Sequence, residues 1–152
     1  MSNASDVCDG TRMQAAIRSM LAMKTVAVVG LSDRPDRASH EVAAFLQRRG
    51  YRIVPVNPRH AGERILGETC HASLADAAAE LAGTGQGIEW VDVFRRAADV
   101  PPVVEDAIAI GARGVWLQLG IVSDEAVARA SAAGMLAVQD RCSKIELMRQ
   151  AA

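Results

Sequence analysis

The chain has 152 residues, half of them hydrophobic and 23% charged, with a formal net charge of -1, which is enough to bury the core of one ordinary globular domain. That balance offers no basic face for nucleic acid and no polybasic patch for a membrane surface, so neither partner is expected. The longest apolar runs, such as Thr25 to Val29, are of strand length and fall far short of the roughly 20 residues of a membrane span.

From the N-terminus, residues 1–10 read as a tail, with Ser2-Asn3-Ala4 resembling a tag remnant, and 11–152 as a single domain. The apolar run after Arg12 is interrupted by Arg18 and Lys24, which is unlike a secretory signal. Thr11-x-x-Gln14 has the form of a capping box, and Met13, Ile17, Met20 and Leu21 repeat at helical spacing. Thr25 to Val29 is a short β-branched run ending at Gly30, the mark of a buried parallel strand. Leu31 to Ala38 is a polar loop. Ser39 then stands as N-cap of a helix with Val42, Phe45 and Leu46 on one face, closed by Arg48, Arg49 and Gly50.

Tyr51 to Val56 is the second strand, stopped by Asn57-Pro58, and a short strand is expected near Glu68 to Cys70. Ser73-x-x-Asp76 caps an alanine-rich helix, and Trp90 to Phe94 is the next strand. Asp99 before Pro101-Pro102 signals a helix start. Val115 to Leu117 is a strand, Ser123-Asp124-Glu125 opens a helix, Met135 to Val138 is the last strand, and Ser143-x-x-Glu146 caps a terminal helix. About five strands alternating with helices predict a Rossmann-like, doubly wound, mostly parallel α/β sheet with helices on both faces. A flavodoxin-like strand order is the alternative.

Cys8, Cys70 and Cys142 are far apart, with no C-x-x-C pattern. Neither a disulfide framework nor a cysteine zinc site is expected, and a reducing cytoplasm fits best. His40, His60 and His71 have no ligand spacing, so no metal site is expected.

In doubly wound sheets ligands sit outside the carboxyl ends of the strands, so the residues just after each strand carry the functional information. After the first strand come Gly30, Leu31, Ser32 and Arg34. The glycine allows close approach of a phosphate, the serines (Ser32 and Ser39) offer hydroxyls, and Arg34 or Arg37 offers charge. The dinucleotide pattern G-x-G-x-x-G is absent beyond its first glycine, and no acidic residue follows the second strand. That place holds Asn57-Pro58-Arg59, which suits a phosphorylated ribose better than a free diol. Phe94-Arg95-Arg96 ends the next long strand, where an aromatic could stack on a base and the arginines pair with phosphate.

The runs Val26 to Ser32, Tyr51 to Pro58, Ile65-Leu66-Gly67, Val91 to Arg95, Gly114 to Gln118 and Asp140-Arg141-Cys142 together resemble the small stand-alone CoA-binding proteins, which are themselves similar to the N-terminal CoA-binding domain of the succinyl-CoA synthetase α subunit. The resemblance implies a CoA or acyl-CoA ligand. The Gly30 to Arg34 loop would hold the phosphates. Val56, Asn57, Pro58 and Arg59 would line the adenosine and 3′-phosphate end, and Phe94, Arg95 and Arg96 the other wall. Two departures stand out: Asp33 and Asp36 balance Arg34 and Arg37 within the loop, and no phosphohistidine-bearing second domain follows Cys142, so ligase activity is not expected. An NADP-dependent enzyme and an interaction domain with a vestigial pocket remain as alternative functions.

Overall fold

The computed structural model describes the backbone of residues 4–151 and the side chains of residues 10–150. Helix α1 spans Ala4–Leu21 and leads into strand β1, Thr25–Val29. Then follow α2 (Ala38–Arg48), β2 (Arg52–Val56), the short strands β3 (Arg64–Ile65) and β4 (Glu68–Thr69), and α3 (Leu74–Ala82). The second half contains β5 (Trp90–Val93), α4 (Val100–Ala109), β6 (Gly114–Leu117), α5 (Asp124–Ala132), β7 (Leu136–Val138) and α6 (Ser143–Ala151).

Five strands pair in parallel in the order β2-β1-β5-β6-β7. This is the Rossmann-like order, with the sheet continued beyond β2 only as a vestige. What would be a further strand beyond β2 is reduced to one parallel bridge between Val56 and His71. In place of that strand the chain makes the β3–β4 hairpin, antiparallel from Arg64 to Thr69.

Side chains alternate across each strand, so the sheet buries two cores. Ala27, Val29, Val91, Val93, Val115 and Leu117 pack under α3, α4 and α5, against Leu74, Val104 and Ala126 among others. Val26, Val28, Trp90 and Trp116 pack under α1, α2 and α6, against Ile17, Met20 and Leu46. The chain turns from β1 towards β2 on one side and later adds β5 on the other, which places the topological switch point between β1 and β5.

Three caps differ from the sequence reading. Helix α1 begins at Ala4, so Thr11-x-x-Gln14 lies inside it and Ala4–Gly10 are helical instead of tail; Ser2 and Asn3 fall outside the described residues. Arg37, not Ser39, is the N-cap of α2, and it caps without a side-chain hydrogen bond. Ser143 lies within α6, with its hydroxyl turned to a buried carboxylate instead of its own helix. Ser73 and Ser123 do cap, accepting from the amides of Asp76 and Ala126. No described helix is long and apolar enough to cross a membrane.

Candidate functional site

The ends of β1 and β5 are held so close that Gly30 has no room for a side chain. Its φ is 87°, and a Cβ there would lie 2.2 Å from the Phe94 carbonyl oxygen. The glycine is therefore required by the fold itself, through the approach of the neighbouring strand's backbone, before any phosphate is considered. Gly30 N–H donates to Val56 (2.8 Å) and Phe94 N–H to Val29 (2.9 Å), so the ladder continues just past the strand ends.

Beyond Gly30 the loop is shaped by two serines. Buried Ser39 accepts from Ser32 N–H at 3.0 Å, and Ser32 Oγ accepts from Arg34 N–H at 3.1 Å. Ser39 thus pins the loop to the first turn of α2. From the other side Asn57, buried at the end of β2, donates to the Leu31 carbonyl (3.0 Å) and accepts from Arg59 N–H (3.0 Å). The amide ties the β1 loop to the turn that carries Arg59.

These contacts frame a cleft of about 650 Å³ at the switch point. Gly30, Ser32, Arg34, Ser39, Asn57, Arg59, Phe94 and Arg95 all line it. Leu31 does not: it is fully buried and contributes only its carbonyl. Val56 and Pro58 line a smaller adjoining cleft of about 160 Å³, which shares Arg95. Arg96 is outside, 87% exposed and paired with Asp99 at 3.2 Å.

Arg37, weighed in the loop, and His60, which had no spacing to recommend it, also line the cleft. The His60 ring lies 3.6 Å from Asp33 and 2.6 Å from Glu63. The signal for His60 was its place in the 3₁₀ turn Pro58–His60 that Asn57 caps.

Charge is where the assembled cleft departs most from its separate segments. The β1 loop is neutral by itself, yet the lining counts Arg34, Arg37, Arg59 and Arg95 against Asp33. Asp36, which balanced the loop on paper, pairs with Arg34 at 3.6 Å with both side chains well exposed, an interaction of little strength. Among the described residues no salt bridge engages Arg37, Arg59 or Arg95. The N-terminus of α2 opens into the same space through Ala38 and Ser39, adding its partial positive charge. A surplus of this kind complements an anion, a phosphate group among them.

Further along the same sheet edge a buried polar cluster joins β5, β6 and α6. Asp92 is fully buried and accepts from Gln118 Nε2 and from Ser143 Oγ, the latter at 2.9 Å. Gln118 Nε2 also donates to Ser143 Oγ at 2.9 Å. Burial pushes the Asp92 carboxyl up to about 7, while the Gln118 and Ser143 hydrogen bonds pull the other way. In the sequence Gln118 and Asp92 stand only within the runs that carry the family resemblance, with no role of their own.

A Rossmann-like sheet with a cationic cleft at its switch point defines a class of nucleotide- and phosphate-binding proteins. The match is more specific than that class: the family model "CoA binding domain" fits residues 24–148, and the chain belongs to that family. It is 39% identical over 133 residues to the uncharacterized protein YneT of Bacillus subtilis, covering 87% of this chain and 92% of that one. A hypothetical protein from Pyrococcus horikoshii superposes with a TM-score of 0.80 at 34% identity, covering 91% of this chain and 92% of that one. A Thermus thermophilus structure, cell-free ID.343, gives 0.78 at 34% identity, covering 90% and 97%.

Proposed function

We propose that the protein binds coenzyme A, or a thioester of it, in the cleft between β1, β2 and β5, with the diphosphate over the Gly30 to Arg34 loop and the 3′-phosphate at Arg59. The observation that carries the reading is the convergence of Arg34, Arg37, Arg59 and Arg95 on one cleft at the N-terminus of α2. CoA presents two phosphate groups in its diphosphate and a third on the ribose, and the cations are distributed over three separate segments that could meet them. Membership of the CoA-binding family supports CoA over other nucleotides. The missing glycines after Gly30 weigh against an NADP-dependent enzyme.

Arg59 and Arg95 bind phosphate, Ser32 and Ser39 fix the shape of the loop that carries Arg34 and Arg37, and Phe94 forms an apolar wall. No residue is assigned a bond-breaking role: the protein holds its ligand rather than transforming it. Titration calorimetry with CoA, dephospho-CoA and NADP on the wild type and Arg59→Ala tests this. Micromolar CoA binding, weakened by loss of the 3′-phosphate or of Arg59, is expected. NADP binding without CoA binding would overturn it in favour of a reductase, and silence with all three would favour a vestigial pocket.

A further inference from the structure

A second cleft, of about 470 Å³, opens at the far end of the same sheet edge, where Leu119 follows β6, Cys142 follows β7 and Ile145 lies in the first turn of α6. Two large apolar side chains are left exposed on it, Leu119 at 64% and Ile145 at 42%. Its cations are already engaged: Arg149 pairs with Glu146 at 2.9 Å, and Arg141 donates to the Asp140 carbonyl at 2.8 Å. Gln14, Asp140 and Cys142 complete the lining, so beyond these polar groups the cleft offers a ligand the apolar surface of Leu119 and Ile145, in contrast to the arginine-rich cleft at the switch point.

We infer that this second cleft receives the acyl group of a CoA thioester, an uncharged chain of short to medium length, while the nucleotide occupies the first. The inference rests on the CoA reading above and adds to it the class of acyl group and the place that holds it. The span supports it. From β1 to β7 the sheet order crosses three strand intervals, or about 14 Å at about 4.8 Å each. The pantetheine arm between diphosphate and sulfur has the backbone length of about four extended residues, which is also about 14 Å. An arm leaving the diphosphate at Gly30 and running along the carboxyl edge past Phe94 and Gln118 delivers its sulfur into the cleft that Leu119 and Cys142 border. Free CoA would end there and leave the apolar side chains uncovered; a thioester covers them.

The test is a calorimetric series of CoA, acetyl-, butyryl- and hexanoyl-CoA, with succinyl-CoA as the charged comparison, on the wild type, Leu119→Ser and Ile145→Ser. Both substituted residues are exposed, so folding is undisturbed, and Leu119→Met preserves the apolar surface as a control. Affinity is expected to rise about two- to fourfold per added methylene in the wild type and Leu119→Met. The serine variants lose that rise while binding free CoA as before, and succinyl-CoA gains nothing over CoA. Equal affinity for CoA and every thioester, or a rise that persists in both serine variants, would overturn the acyl cleft and leave the CoA reading standing. No binding of any CoA species would overturn both. A concentration-dependent dimer that Leu119→Ser dissolves, with no chain-length effect, would assign the apolar patch to a second copy of the chain instead.

Discussion

Asp92 and Ser143 are 51 positions apart in the chain and 2.9 Å apart in the fold, the Ser143 hydroxyl donating to a buried carboxylate that forms no salt bridge among the described residues. The pair fastens the start of α6 to the middle of β5, and Gln118 joins both to the end of β6. One buried acid thus positions the two segments that border the apolar cleft.

That acid makes stability depend on pH. Burial raises Asp92 in the folded protein from its ordinary 3.8 to about 7. Between those values the folded chain holds a proton that the unfolded chain has lost. Its contribution to stability is full below the unfolded value and is lost as pH rises through about 7. Chemical denaturation should show the wild type losing about 2–3 kcal/mol between about pH 5 and pH 8 relative to Asp92→Asn. Parallel pH profiles for the two proteins would refute the assignment.

Gly30→Ala should be severe. A Cβ at 2.2 Å from the Phe94 carbonyl oxygen, on backbone with φ of 87°, must push β1 and β5 apart at their ends. A loss of about 2–4 kcal/mol is expected, read as a lowered Tm, with CoA affinity falling in the fraction that remains folded. An unchanged Tm would show that the strand ends yield freely.

Adjacent arginines should behave differently. Arg95 lines the cleft, whereas Arg96 is paired with Asp99 outside it. Arg95→Ala should weaken CoA binding about tenfold or more, the scale of one hydrogen bond to a charged group, and flatten its dependence on salt. Arg96→Ala should change affinity less than about twofold. Equal effects in titrations at two salt concentrations would mean that CoA does not occupy the cleft that Arg95 lines.

Asn57→Ala removes a buried clamp without removing a charge. Leaving the Leu31 carbonyl and Arg59 amide without their partner should cost about 1–3 kcal/mol of stability. Because the clamp fixes the turn that carries Arg59, discrimination between CoA and dephospho-CoA should narrow as well. A variant that is less stable but discriminates as before would confine Asn57 to the fold.

Much of this protein was written locally. Alternating helix and strand signals, β-branched runs such as Thr25 to Val29, and serine caps at Ser73 and Ser123 define the α/β class because each depends on residues a few positions apart. The strand-end residues Gly30, Asn57, Phe94 and Arg95 were legible for the same reason, since the parallel arrangement brings every strand end to one edge.

Only the tertiary structure decided the rest. Whether the loop after β1 is neutral or part of a cationic cleft depends on Arg59 and Arg95 arriving from other strands, and Coulomb interactions follow distance in space rather than position in the chain. Whether Ser143 caps its own helix or serves Asp92 turns on a buried carboxylate's need for donors, a demand set by desolvation that no local pattern records.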